Sequence, residues 1–567
     1  MPRNHIFKNR AVAVAGIVLL SGLQAFGATA KGIKRPKPGE TAEVLVLYAT
    51  QPTQEQHRRV TDRNGRIRAA FGHVPVAHYD VTPEALADLE ANPEVVSISP
   101  NQAVHGFVDR VTCSANYWPL YSYFTSIGRS YAAEIGIAII DSGVDSGNPN
   151  FNNPQSSRSR IVYSQSFVGG NINDDFGHGT HVAGIAAGLD NVTYSISGAT
   201  RGFGGIAQDA YIINLKVLNS TGAGTDASVI AGIDQAIALQ SAHNIRVINL
   251  SLGRPITQSY KTDPLNQAVE AAWKAGIVVV AAAGNDGRDN SIGTLGYGTI
   301  TAPGNDPYVI TVGASNDNGD YDRTDDVMTT YSSKGPTAID HIVKPDLVAP
   351  GNLVVSEQSY ASSLVQQYPG NQIPTNDYNP AGSSAYSPYF FTLSGTSMAA
   401  PVVSGAALML IDQNQGITPD QVKAKLMRNA WRGFPATMTI AVTTPAAATY
   451  TEYADIFTIG AGQVDMWAAY LDKNMPVGSA ASPAATFNSN GTVTLQLNSV
   501  GAANVVWGTG STYATNVVWG TNVVWGTNVV WGTNVVWGTN VVWGTTSPWA
   551  LTTPDAESLS VAINGDN

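Results

Sequence analysis

The chain has 567 residues, of which 43% are hydrophobic and only 13% charged, with a formal net charge of −11. A chain this long exceeds one ordinary domain and can bury a large core, and so few charges exclude disorder over most of it. The acidic balance, with no run of Lys or Arg, also excludes a nucleic-acid-binding protein held by phosphate contacts.

The first thirty residues read as an export signal. Arg3, Lys8 and Arg10 precede an apolar stretch over 11–20, and Ala28, Thr29 and Ala30 supply small residues for a signal peptidase. The rival reading is a membrane anchor, but Gly16, Ser21, Gly22 and Gln24 interrupt the stretch. It is also shorter than the ~20 apolar residues that span a bilayer. No later segment reaches spanning length, so the expectation is a soluble mature protein with no transmembrane segment. Cys113 is the sole cysteine, which rules out an intramolecular disulfide and reads as a free thiol in a linker.

Residues 40–105 alternate like a small α+β unit. Strands are predicted over 42–48, 67–71, 76–81 and 95–98, and helices over 54–63 and 83–91. Thr82 would cap the second helix and Pro83 would occupy its first turn. That β-α-β-β-α-β order is the split-βαβ, ferredoxin-like pattern.

Between 134 and 472, apolar runs at 137–140, 210–217, 246–250, 277–282 and 309–312 alternate with helical patterns. The helices are predicted over 178–187, 228–241, 265–275, 397–411 and 419–429. Continuous apolar strands belong to sheets covered on both faces, so the fold class is α/β, a doubly wound and mostly parallel sheet. Residues 353–390, rich in Ser, Tyr, Asn and Pro, are predicted to be a long irregular insertion.

After 473 Gly, Ala, Ser, Thr and Val dominate. The hexapeptide Asn-Val-Val-Trp-Gly-Thr stands at 504–509 and runs five times in tandem from Asn516 to Thr545. An even period keeps Trp on one face of a strand, which suggests a β-solenoid or adhesive module. A repeat expansion tolerated in an unstructured tail is the alternative.

Three blocks carry chemistry. IAIIDSG over 137–143 puts Asp141 directly after a buried strand, where open parallel sheets gather functional groups. GHGTHVAG over 177–184 puts His178 between glycines at a helix start, uncrowded as a general base must be. Metal ligation by His178 and His181 is the other reading, but their spacing is three and no Glu lies between them. SGTSMAAP over 394–401 puts Ser397 at the start of a long apolar helix, its N–H and the helix dipole available to a developing oxyanion. Singly, the Asp141 block reads more readily as a turn or capping Asp and the Ser397 block as a plain Ser N-cap. Together they run Asp…His…Ser, the subtilisin order.

On these blocks the chain resembles the subtilisin-like serine peptidases, over about 134–472. The resemblance implies a triad of Asp141, His178 and Ser397. From AAAGNDG over 281–287 it implies Asn285 as an oxyanion donor. It also implies substrate binding by Ser251, Leu252 and Gly253, with Ala283 and Gly284 as walls and Gly296 as the open floor of an uncharged S1 pocket. The expected function is a secreted serine endopeptidase of broad specificity, acting on protein or peptide substrates through an acyl-enzyme. No cofactor is required for that chemistry. The resemblance leaves structural calcium open. The 188–205 loop departs from the family pattern by its length, and Asp190, Asn191 and residues 173–175 are the oxygen donors at hand. Val402 stands where relatives often have His.

The family further lends the N-terminal unit the meaning of an inhibitory pro-domain, cut away between about 104 and 118. The expected organisation is a signal peptide over 1–30, pro-domain over 31–112, catalytic domain over 113–472 and removable C-terminal extension over 473–567. That extension could tie the secreted enzyme to a cell surface.

Overall fold

The computed structural model describes residues 28–29, 33, 35–101, 103–106, 115–127, 132–487, 493–496 and 555–566, with short breaks at 154–155, 157, 197–198, 200, 292, 320–321, 380 and 444–446. Most of the export signal, Cys113, the repeats and most of the 104–118 junction lie outside the described residues. Among the described residues no helix is long and apolar enough to cross a membrane.

The N-terminal unit forms the predicted β-α-β-β-α-β chain. Strand Ala42–Tyr48 pairs antiparallel with both Val76–Val81 and Val95–Pro100, and Arg66–Ala70 borders Val76–Val81. Helices Gln54–Thr61 and Pro83–Glu90 cover one face, and Thr82 caps the second by accepting from Ala85 N at 3.2 Å. Strand alternation divides the first strand's burial. Val44, Val46 and Tyr48 join Val60, Leu86 and Leu89 in a separate core, whereas Leu45 and Leu47 face the main one. Polar ties support this docking: Ala227 N donates to Asn101 Oδ1 at 2.9 Å and Gly72 N to Asp234 Oδ2 at 3.0 Å.

The main sheet has eight strands. Its parallel part runs Ile161–Ser166, Tyr211–Lys216, Gly136–Asp141, Ile245–Leu250, Val278–Ala282, Ile310–Asn316 and Leu347–Pro350. Val327–Met328 adds an antiparallel edge. Every residue of Gly136–Asp141 and of Val278–Ala282 is buried, as expected of strands covered by helices on both faces. The chain runs to one side from Gly136–Asp141 and then returns across it to Ile245–Leu250. The carboxyl ends of these two neighbours therefore flank a topological switch point, where open α/β sheets form their sites.

The five predicted strands and five predicted helices are all present, with ends shifted by no more than four residues. Three strands of this sheet escaped the hydrophobic pattern, the two-residue edge Val327–Met328 among them. Ile161–Ser166 is half-buried and polar at its end, as suits a sheet edge, and Leu347–Pro350 is short with prolines at both ends. The expectation of an irregular 353–390 insertion is corrected. Val354–Glu357, Gln372–Pro374 and Tyr386–Leu393 form a three-stranded antiparallel sheet. Phe390, Ile373 and Tyr378 pack beneath it with Phe203, giving this polar stretch a small apolar core of its own.

Residues 473–487 share the main body. Ser482 Oγ hydrogen-bonds to buried Asp346, Ala485 N donates to His341 O at 2.8 Å, and Ala485 belongs to the main core.

Candidate active site

Asp141 closes the central strand and is fully buried. Its Oδ1 accepts from Ser142 N at 2.7 Å and lies 2.6 Å from His178 Nδ1. His178 opens helix His178–Ala187, and the preceding turn is possible because Gly177 takes φ +109°. An imidazole held at Nδ1 by a buried carboxylate has Nε2 as the nitrogen that can take a proton from a nucleophile.

A carboxylate that the sequence offered only as a possible cation ligand organises this corner. Asp174, 2% exposed, accepts from Ser142 Oγ at 2.8 Å and Gly177 N at 2.7 Å through Oδ1, and from Thr180 N at 2.7 Å through Oδ2. Ser142 Oγ in turn accepts from Gly179 N at 2.9 Å. One side chain therefore ties the residue after Asp141 to residues on both sides of His178. Burial pushes the Asp174 carboxyl up from its usual range, and the donors from Thr180, Gly177 and Ser142 pull it back. Its sequence signal was only an Asp four residues before the His, indistinguishable from an ordinary loop acid.

Ser397 is the second residue of helix Thr396–Gln413, which packs against helix His178–Ala187 and four strands of the main sheet. Gly395, at φ +143°, swings the chain from strand Tyr386–Leu393 into that helix. Ser397 Oγ donates to Ser251 O at 3.2 Å, and Ser251 Oγ donates to Ser397 O at 2.6 Å. The nucleophile candidate is thereby clasped to the end of strand Ile245–Leu250.

Asn285 is 3% exposed. Its Oδ1 accepts from Thr396 N at 2.9 Å and Thr396 Oγ1 at 3.1 Å, so the amide cannot flip without losing both. This orientation leaves Nδ2 buried with no hydrogen-bond partner among the described residues. A buried amide donor left unmade costs about 1–3 kcal/mol, and this one is placed where an acceptor atom beside Ser397 would satisfy it.

The substrate-binding candidates converge on the same place. Leu252 and Gly253 form a short strand, Ala283 is fully buried, and Gly284 takes φ +108° and donates to Thr396 Oγ1 at 3.1 Å. Gly253 packs against Thr301, whose Oγ1 would lie 2.5 Å from a Cβ placed there. Gly296 has a different reason to be glycine than an open pocket floor. A Cβ there would lie 1.8 Å from Gly287 O, so the residue is dictated by backbone packing. Strand Ala103–Gly106 lies between Ala223–Thr225 and Leu252–Gly253, antiparallel to both, with His105 paired to Ala223 and Gly253 and Gly106 to Leu252.

The residues considered for calcium do not form a cage. Asp174 is committed as above, Asp175 Oδ2 is 2.6 Å from Lys216 Nζ, and Asp190 Oδ1 takes hydrogen bonds from Thr193 and Phe203 N. Asn191 donates its amide to Pro149 O and Asn152 O. The Asp174, Asp175 and Asp190 oxygens point at protein donors, which does not fit a hard cation needing six to eight converging ligands.

Residues 132–462 match the model of the subtilase family. The serine protease AprX of Bacillus subtilis is 32% identical over 377 residues, covering 65% of this chain and 76% of AprX. Subtilisin E of the same organism is 30% identical over 375 residues, covering 65% and 79%. Among solved structures, fervidolysin from Fervidobacterium pennivorans, a keratinolytic enzyme related to subtilisin, superposes with a TM-score of 0.55 at 19% identity. That alignment covers 80% of this chain and 65% of fervidolysin's, and it is a likeness of fold. With the family match spanning more than half its length, the chain belongs to the subtilase family and is a serine endopeptidase.

Proposed function

We propose that the protein is a secreted endopeptidase in which Ser397, His178 and Asp141 form the catalytic triad. Ser397 Oγ turns from Ser251 O toward His178 Nε2 and attacks a peptide carbonyl. His178 takes the proton and returns it to the leaving amine, and Asp141 holds the imidazole tautomer and balances its charge. The tetrahedral oxyanion accepts from Asn285 Nδ2 and the Ser397 N–H, and water then releases the acyl group. The observation that carries this reading is the Asn285 amide, oriented by Thr396 with its buried donor unmatched next to the nucleophile. Every step uses groups of the chain itself.

Substrate would lie as a strand along Leu252–Gly253, with its P1 side chain between Ser251–Gly253 and Ala283–Gly284. Walls built from Leu252, Gly253, Ala283 and Gly284 suit large apolar P1 residues and broad specificity. The N-terminal unit would act as a pro-domain. Its strand Ala103–Gly106 pairs with Leu252–Gly253 as a substrate strand would, which supports the reading that it blocks the cleft until removed. Secretion rests on the export-like first thirty residues and on the family.

Digestion of a peptide library by the matured protein tests the proposal. Cleavage after large apolar residues, abolished in Ser397→Ala, is expected. Cleavage persisting in Ser397→Ala would refute the assignment, and cleavage confined to charged P1 residues would refute the pocket.

A further inference from the structure

Residues 555–566 follow the repeats in sequence, yet they are built into the catalytic body. Helix Asp555–Asn564 buries Val561 and Ala562, 1% and 2% exposed, in the main core. Ala562 O accepts from Ser394 N at 2.8 Å, three residues before Ser397, and Ile563 O accepts from Asn371 Nδ2 at 2.9 Å. Gly565 N closes the helix on Val561 O at 2.8 Å. Its φ is +59°, and a Cβ would lie 2.2 Å from Ser394 Oγ and 2.4 Å from Asn352 Oδ1, so glycine alone fits.

Asp566 enters a polar socket. Its carboxylate is 2.7 Å from Arg288 Nη2, Thr330 N and Thr330 Oγ1, and its own N–H donates to Asn352 Oδ1 at 2.9 Å. The Arg288 and Asp566 side chains are 3% and 1% exposed. Arg288 also donates to Thr330 Oγ1 at 2.8 Å and lies over the Tyr450 ring at 5.6 Å. Removing Asp566 would strand a buried guanidinium, which is costly. Arg288 lies three residues after Asn285, so the socket spans the oxyanion loop and the approach to the nucleophile.

We infer that Arg288, Thr330, Asn352 and Ser394 form a binding site for a helical peptide followed by Gly-Asp, and that residues 555–566 are its occupant. The repeats at 504–545 therefore lie between two docked segments, Ala484–Phe487 and 555–566. Scission among the repeats leaves 555–566 bound as a second, non-covalent chain. This revises the expectation that everything beyond 473 is removable.

The test inserts the recognition sequence of an unrelated site-specific protease between Thr545 and Thr546, in the full chain carrying Ser397→Ala so that no self-cleavage intervenes. After cutting, size-exclusion chromatography with intact mass follows the C-terminal fragment that carries residues 555–566. It is expected to co-elute with the body, and Asp566→Ala is expected to speed its release on the order of a hundredfold. A synthetic 555–566 peptide should exchange into the cut body, and its Gly565→Val version should not. Loss of the fragment on cutting the otherwise unaltered socket would overturn the inference. So would equal retention with Asp566→Ala, or equal exchange of the Gly565→Val peptide.

Discussion

Thr396 donates its backbone N–H to Asn285 Oδ1 at 2.9 Å, and that bond decides which end of the amide faces the nucleophile. The helix that presents Ser397 thus also aims the second oxyanion donor, so the two are oriented as one unit. Preorganisation of this kind removes the reorganisation cost at the moment charge develops.

Asn285→Ala is expected to lower kcat by about 10²–10³ with little change in KM, since the lost donor acts on the oxyanion rather than on bound substrate; subtilisin itself is the case from which that magnitude comes. Steady-state kinetics on a chromogenic peptide check it. Equal losses in kcat and affinity would place the amide in ground-state binding instead.

Asp174→Asn should impair catalysis without touching substrate. An amide replaces one acceptor oxygen by a donor, which must face Thr180 N or the Gly177 N and Ser142 Oγ pair. The expected loss in kcat is on the order of tenfold or more, from a less well-fixed His178. The pH–rate profile should also shift, because the imidazole's setting changes. An unchanged profile with only a lowered melting temperature would mark Asp174 as purely structural.

Glu357 makes stability pH-dependent. It is fully buried behind helix His178–Ala187, where burial pushes its carboxyl up to about 7, against hydrogen bonds from Ser356 Oγ and Asn150 Nδ2. A raised folded value means the folded protein holds a proton that the unfolded chain has released. The favourable contribution is therefore full below the unfolded value near 4.5 and is lost as pH rises through about 7. The swing is about 3 kcal/mol. Glu357→Gln is expected to match the parent near pH 5 and exceed it in denaturant midpoint at pH 8. A constant difference across that range would contradict this.

Gly296→Ala is expected to destabilise by about 1–3 kcal/mol, because the new methyl group meets Gly287 O and the backbone sits at φ +81°. Thermal melts check the effect. A stable variant with altered P1 preference would restore the open-floor reading.

The parts legible in the sequence share a physical cause. Strands such as Gly136–Asp141 are buried on both faces and so read as unbroken apolar runs, and the triad blocks announce themselves through glycines that the backbone needs beside Asp141, His178 and Ser397. What stayed hidden depends on partners distant in sequence. Asp174 matters because of Ser142 and Thr180, and the sheet within 353–390 exists because Val354–Glu357 meets Tyr386–Leu393. The docking of Asp566 depends on Arg288, 278 residues earlier. No local pattern encodes such pairings.

Covalent labelling is the most direct test of the acyl-transfer site. Matured protein treated with a fluorophosphonate and digested for peptide mapping is expected to carry one adduct, on Ser397, and the Asp141→Asn variant should label slower by about 10⁴ if the carboxylate sets the His178 tautomer. An adduct on another residue, or none on protein that still cleaves peptides, would contradict the account.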